Sequence, residues 1–187
     1  MVWDILGGIF TIEHLVEAFW LVLPAYAANG LVPLFGGKHR ADFGKNFIDG
    51  EPFLGSGKTL EGFFFGTLVG ALIATVQMLA FPYLPWGLSE VPLNIVAMSP
   101  VLGVLLGLGA MTGDSAGSFI KRRLKLKRGA AAPGIDQLDF LFGAFLFALI
   151  LVKIELSWVV LMAIVTPIVH ITASFLGFRL RLKREPW

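Results

Sequence analysis

Apolar residues gather in five long runs, broken by two long polar stretches and two short ones. The runs extend from about Leu15 to Phe35, Gly62 to Phe81, Ile95 to Gly113, Leu138 to Val152 and Leu156 to Leu176. About 20 mainly apolar residues in a helix cross the roughly 30 Å of a bilayer's hydrocarbon. The pattern therefore predicts an all-α, polytopic membrane protein with five transmembrane helices. It forms a single integral-membrane domain, residues 1–187, with long loops at about 36–59 and 114–137. The fourth run is the shortest.

Charge sets an orientation on that frame. Of the 15 Lys and Arg, all but Lys153 lie in loop 36–59, loop 114–137 or the tail after the fifth run. With five spans these three segments share one side of the membrane, and the positive-inside rule makes that side cytoplasmic. The N-terminus is then outside and the C-terminus cytoplasmic, in the cell membrane. Trp86 and Trp158 fall near the expected outer interface and Trp187 near the inner one. The first residues, MVWDILGGIF, carry no basic segment of the kind a cleaved signal peptide has. Composition agrees with a membrane protein. Of the 187 residues, 56% are hydrophobic and 15% charged, against the roughly 25% charged of soluble domains. The mean hydropathy is +0.79. The absence of cysteine excludes disulfide frameworks, thiolate-bound metals and thiol nucleophiles.

Small residues recur with helical spacing. Gly62, Gly66 and Gly70 repeat along the second run, and Gly103, Gly107, Gly109, Gly113 and Gly117 along and beyond the third. Such stripes let helix backbones pack closely. Here they would join the cytoplasmic ends of spans two and three.

Both long loops mix acids with bases, which a loop serving topology alone does not need. Seven acids lie in or beside them: Asp42, Asp49, Glu51, Glu61, Asp114, Asp136 and Asp139. The run Gly55-Ser-Gly57-Lys58-Thr59 suggests a nucleotide P-loop, but Pro52 stands where that motif needs its first glycine, and no strand precedes it. A P-loop is excluded. A glycine-rich turn opening a helix at Lys58 and Thr59 still fits a phosphate cradle. A flexible loop with a topogenic lysine is the alternative.

In the second loop, Asp114, Ser118, Lys121 and Lys125 fall within about 60° of one helix face. An acid able to bind a divalent metal thus lines up with cations able to hold phosphate oxygens. After the Gly129–Gly134 turn, Asp136 and Asp139 share a face where the fourth run begins. His170, inside the fifth run, suits either phosphate binding or an interhelical hydrogen bond.

These residues resemble a family. Gly113-Asp114-x-x-Gly117-Ser118-Phe-Ile-Lys121-Arg122, closed by Pro133-Gly134-Ile-Asp136-Gln-Leu-Asp139, is similar to the signature of the CTP:phosphatidate cytidylyltransferases. A Lys-Asp pair and a His-Gly-Gly of the bacterial and eukaryotic pattern are missing, and Gln137 replaces an arginine. The shortened loop resembles the archaeal branch, the CDP-archaeol synthases. So do Pro24-Ala-Tyr-Ala-Ala-Asn29, Asp42-x-Gly44 with Asp49-Gly50, Gly57-Lys58-Thr59 with Glu61-Gly62, and the closing Pro186-Trp187.

The resemblance implies a nucleotidyltransferase. CTP and 2,3-bis-O-geranylgeranylglycerol 1-phosphate would give CDP-archaeol in its unsaturated form and pyrophosphate, for archaeal phospholipid biosynthesis. It implies catalytic roles for Asp114, Lys121, Lys58 and Arg122. Substrate binding would fall to Asn29, Asp49, Gly57, Thr59, Glu61, Gly117, Ser118 and Lys125. Asp114, Asp136 and Asp139 would hold Mg²⁺. The partners implied are CTP, the ether-lipid phosphate and the bilayer, with no nucleic acid and with room for a homodimer. Two other readings stay open: a CTP-dependent kinase of isoprenoid alcohols such as phytol or dolichol, and a small transporter. A transporter would place charges mid-membrane and repeat its halves. A CDP-alcohol phosphotransferase would need a D-G-x-x-A-R motif that this chain lacks.

Overall fold

The structure, a computed structural model, describes residues 11–86, 91–127, 129–179 and 181. Arg128, Lys183, Arg184 and Pro186-Trp187, used above for orientation or resemblance, lie outside the described residues. The described chain is helical, without a named strand: α1 (Ile12–Phe35), α2 (Leu60–Ala80), α3 (Pro100–Arg123), α4 (Ile135–Ala148) and α5 (Leu156–Arg179). Each helix matches one of the apolar runs, and the differences sit at the ends.

The helix starts are set by side chains that satisfy free backbone N–H groups. Thr11 caps α1 by accepting from His14 N, Thr59 caps α2 by accepting from Gly62 N, and Ser99 caps α3 by accepting from Leu102 N. Proline explains the late start of α3. Pro100 has no N–H to donate and disfavours helix at the residue before it, and residues 95–99 run non-helically where the third apolar run predicts helix. At its other end α3 continues ten residues past Gly113, carrying Asp114 to Arg123 on helix instead of loop. Lys125, expected on the same helical face, lies beyond the helix with φ of 57°.

Among the described residues, α1, α2 with the short 3-10 turn after it, and α5 are long and apolar enough to cross a membrane. By contrast, α4 has 14 residues, about 21 Å of rise, and α3 ends in three basic residues. Large apolar side chains such as Leu72, Leu79, Leu146 and Ile168 remain exposed on the helix exteriors. An outward apolar surface of this kind is suited to lipid.

The core lies along α1, which touches all four other helices. Leu21, Val22, Ala25, Leu106, Ala110, Leu141, Ala144 and Met162 are buried in it. Glycine decides the closest contacts, and α3 uses two separate faces. Gly103 and Gly107 meet α2, where a Cβ on Gly70 would lie 2.6 Å from the Gly103 carbonyl oxygen. Gly109, Gly113 and Gly117 meet α4, where a Cβ on Gly143 would lie 2.2 Å from the Gly109 carbonyl oxygen. The long glycine series of α3 is therefore two seams. The second ties α3 to α4, not to α2 as the stripe alone suggests.

Polar contacts close the end of the bundle formed by the first turns of α1. Buried Glu17 accepts from Trp158 Nε1 at 2.9 Å and from Asn94 N. Trp158 is thus interior, 1% exposed, and not part of the interfacial aromatic belt expected of it. Trp86 packs edge-on to Trp20, with ring centroids 5.0 Å apart.

Candidate active site

The loop between α1 and α2 is folded. Backbone bonds from Ala41 N to Lys58 O (2.8 Å) and from Leu60 N to His39 O (2.9 Å) bring its ends together. Bonds from Phe47 N to Glu51 O and from Phe53 N to Lys45 O close a smaller turn within it. The Asp42 side chain, 0% exposed, organises the base. It accepts from Gly44 N, Leu54 N and Gly55 N, and from both arms of the Arg40 fork. Burial disfavours the Asp42 carboxylate, but Arg40 and these N–H groups outweigh it and hold its pKa well below the ordinary carboxylate range. The segment thus has a hydrogen-bonded scaffold of its own.

That scaffold presents Gly55-Ser56-Gly57-Lys58 beside the end of α3. Lys58 Nζ donates to Asp114 Oδ2. Next to it Lys121 Nζ donates to Asp136 Oδ1 at 2.5 Å, and Asp136 Oδ2 accepts from Ala132 N at 2.8 Å. Gly134, at φ 87°, turns the chain into α4 and so brings Asp136 back against Lys121. Asp139 sits one turn deeper. Its Oδ1 accepts from Phe140 N, and its carboxyl occupies the space that a Cβ on Gly117 would fill, with Oδ2 at 1.9 Å from that position.

Two cavities meet here. The first, about 490 Å³, is walled by Arg40, Lys58, Lys121, Arg122, Lys125 and Lys127, with Glu51 as its carboxylate. Arg122 Nε is buried there without a hydrogen-bond partner among the described residues, while Arg122 Nη1 donates to the Leu126 carbonyl. A basic cavity with an unused buried donor is suited to a polyanion. The second, about 540 Å³, has Lys58, Asp114, Lys121 and Asp136 at its polar side, Val32, Pro33, Phe63 and Met111 among its apolar lining, and Asn29 and His170 as further polar groups. Ser56, Gly57, Lys58, Lys121 and Gly129 line both cavities.

Most of the expected site residues converge on these cavities. Lys58, Gly57 and Lys121 line both, Arg122, Ser118 and Lys125 line the first, and Asn29, Thr59, Asp114 and Asp136 line the second. Four others, Asp49, Glu61, Gly117 and Asp139, line neither. Asp49 forms an ion pair with Arg123 at 2.8 Å. Glu61 accepts from the backbone N–H groups of Lys38 and His39 and bonds the His39 ring at 2.6 Å. Gly117 makes room for Asp139. Their contacts are with the scaffold.

Arg40, Arg123 and Lys127 are residues that the motif reading passed over, and Asp42 entered it only as part of the resemblance, without a role. Their common signal was a charge inside a loop already rich in glycine and turn residues. Asp42-x-Gly44 was visible as a motif, and its physical content is a carboxylate bonded to the N–H two residues on.

Asp114, Asp136 and Asp139 offer hard oxygen donors of the type Mg²⁺ prefers. They do not form one tight trio. Asp114 and Asp136 are each engaged by a lysine, and Asp139 lies within electrostatic reach of both and of Lys58. The donor chemistry fits the metal, with lysine ammonium groups occupying part of the coordination sphere a cation would take. Among the described residues, the set that brings three ligand atoms within 4.8 Å of one another is His14, Glu17 and Glu155, near the opposite end of α1. The Glu17 oxygens there are already engaged by Trp158 and Asn94, which makes that set a clasp between helix ends.

A helical bundle with lipid-suited flanks, and with a basic cavity abutting a partly apolar one at one helix end, defines a membrane enzyme acting on phosphates. Residues 11–187 match the CarS-like family, CDP-archaeol synthase, and the chain belongs to that family. The CDP-archaeol synthase of Pyrococcus abyssi is 42% identical over 171 residues, 91% of this chain and 97% of the relative. That of Methanocaldococcus jannaschii is 37% identical over 173 residues, 92% and 97% of the two chains. A solved structure described as an intramembrane enzyme for archaeal membrane lipids biosynthesis has a TM-score of 0.72 at 35% identity, covering 84% of this chain and 92% of its own.

Proposed function

We propose that the chain transfers the cytidylyl group of CTP to 2,3-bis-O-geranylgeranylglycerol 1-phosphate, forming the CDP-activated ether lipid and pyrophosphate. The observation that carries this reading is the shared wall of the two cavities, where Lys58 and Lys121 face both. The basic cavity takes the triphosphate, and the cavity with apolar lining takes the lipid phosphate and the start of its chains. A lipid phosphate oxygen attacks the α-phosphorus of CTP. The bond from that phosphorus to the oxygen bridging the β-phosphate breaks, and pyrophosphate leaves.

The attacking phosphate is already a dianion near neutral pH, so proton removal contributes little. The barrier is the approach of two polyanions, which positioning and charge neutralisation lower. Lys58 and Lys121 act on the oxygens of the reacting phosphates, and Arg122, Arg40 and Lys125 on the triphosphate. Asp114 and Asp136 hold the two lysine ammonium groups at the shared wall. Asp114, Asp136 and Asp139 would hold Mg²⁺, which when bound would further neutralise the triphosphate charge.

The chain forms one integral-membrane domain with five spans, its N-terminus outside and this site at the cytoplasmic face of the cell membrane. The glycine seams and the segregation of basic residues support α3 and α4 crossing together with the three more apolar helices. Because the sequence contains no cysteine, single cysteines placed in loops 36–59, 82–94 and 124–134 report sidedness without background. The first and third react from the cytoplasmic side only, and the second from outside only.

The decisive assay uses purified protein, CTP labelled in the α-phosphate, Mg²⁺ and the ether-lipid phosphate. Labelled CDP-lipid with release of pyrophosphate is expected. With an isoprenoid alcohol in place of the lipid phosphate, transfer of the γ-phosphoryl group of CTP to the alcohol, giving labelled CDP and unlabelled isoprenyl phosphate, would instead establish a kinase.

A further inference from the structure

Lys121, Arg122 and Arg123 are consecutive, yet only the first two line the cavities. Arg123 points to the other side of the loop, where its guanidinium makes a dense set of contacts. Nε donates to Asp49 Oδ2 at 2.8 Å and Nη2 to Asp49 Oδ1 at 3.2 Å. Nη2 also donates to the carbonyls of Glu51 (3.3 Å) and Pro52 (3.1 Å), and Nη1 to those of Phe53 (3.2 Å) and Phe119 (3.3 Å). Its central carbon lies 4.1 Å from the Phe119 ring centroid and 4.9 Å from that of Phe47. Phe47, Phe53 and Phe119 pack on one another beneath it, with centroids 5.2 to 5.9 Å apart.

We propose that Arg123, paired with Asp49, is a positioning residue for the reaction: it fixes the tip of the loop to the end of α3, so that Lys58 is delivered to the wall shared by the two cavities. The inference rests on the cytidylyl-transfer reading above. The loop has two anchors. Asp42 ties its base, and Arg123 ties residues 49–53. Directly after them come Leu54, Gly55, Ser56, Gly57 and Lys58, which line the basic cavity. An isolated surface ion pair contributes little. Arg123 differs because its planar fork meets a carboxylate and loop carbonyls at once, while its face lies on aromatic rings. Lysine, a point charge with three donors, reproduces neither the fork nor the stacking. Asp49, which sequence reasoning assigns to substrate binding, becomes the arginine's partner.

The test combines Arg123→Lys, Arg123→Ala, Asp49→Asn and the Asp49→Asn/Arg123→Ala double variant in the full chain. Turnover of CTP and lipid phosphate is measured together with hydrogen exchange of residues 42–57. Arg123→Lys and Arg123→Ala should both lower kcat by about tenfold or more, because misplacement of a charge-neutralising group is costly. KM for the lipid phosphate should hold, since Val32, Pro33, Phe63 and Met111 belong to helices. The double variant should be no worse than Arg123→Ala, because the two residues act through one contact. Exchange should rise in the loop and not in α2 or α3. Wild-type kcat in Arg123→Lys would overturn the proposal, since charge alone would then suffice. Unchanged loop exchange in both arginine variants would overturn it too. If Arg123→Ala does not fold, Arg123→Lys and Asp49→Asn carry the same comparison. Failure of the wild type to form CDP-lipid would reject the reaction, while loop exchange would still report whether Arg123 anchors the loop.

Discussion

Lys58 and Asp114 stand 56 residues apart in sequence and form an ion pair beside the cavity that both line. One comes from a glycine-rich loop and the other from the middle of a helix. In the same loop Asp42 bonds Arg40, Gly44, Leu54 and Gly55, and Arg123 of α3 bonds Asp49 and the carbonyls of residues 51–53. The Lys58–Asp114 pair joins a cation that lines both cavities to a carboxylate suited to a metal.

Substitution of either partner should impair chemistry more than binding. Lys58→Ala and Asp114→Asn are each expected to lower kcat by about 10²-fold or more, the scale of removing one preorganised electrostatic contact. The double variant should lose less than the product of the two, because the groups act together. Steady-state rates of CDP-lipid formation provide the check. Near-normal turnover by Asp114→Asn would remove Asp114 from the metal and lysine roles given to it.

Metal dependence should track the three aspartates. EDTA should abolish CDP-lipid formation and added Mg²⁺ restore it. Asp136→Asn and Asp139→Asn should raise the Mg²⁺ concentration needed for half-maximal rate. A Mg²⁺ titration identical to wild type in both variants would move the metal away from these residues.

The glycine seams should tolerate no methyl group. Gly143→Ala places a Cβ 2.2 Å from a backbone oxygen of α3, so the two helices must separate, at a cost of about 1–3 kcal/mol. Gly30→Ala is the control, because nothing lies within 4 Å of a Cβ there and alanine favours helix by roughly 0.5–1 kcal/mol. Thermal unfolding in detergent should separate the two by direction. Equal midpoints would show that the α3–α4 seam is not this close.

The loop anchor at Asp42 should fail in acid. Its folded pKa is depressed by Arg40 and backbone N–H groups, so ionised Asp42 favours the folded state. That contribution is complete above the unfolded carboxylate value of about 3.9 and is lost as pH falls through the depressed folded value. Asp42→Asn should therefore be less stable than wild type at pH 7, with the gap closing below about pH 4. Thermal unfolding of both proteins across pH 7 to 3 tests this. A gap that stays constant would contradict it.

Sequence legibility varied with the range of the interaction. The apolar runs revealed the five helices, because burial and lipid contact act on each helix along its own length. Pro100 and Gly134 set ends that hydropathy misplaced, and both are local effects of backbone stereochemistry. Asp114, Ser118 and Lys121 were readable as one helix face from spacing alone. Arg123 and Asp42 were not. Their value lies in partners elsewhere in the fold, and a charged residue in a loop looks the same whether it anchors backbone or meets water.

The chain's own pattern thus determined that it is a helical membrane protein with its chemistry gathered at one end, and which residue types carry that chemistry. Hydrophobic period, caps and charge segregation are properties of neighbouring residues, so they survive in one dimension. Tertiary structure alone decided that Asp49 and Glu61 hold the scaffold and line neither cavity, that Trp158 serves Glu17 in the interior, and that the glycines of α3 divide into two seams. Each of these depends on which surfaces meet across tens of residues. Such meetings are set by packing and by the need to pair every buried polar group.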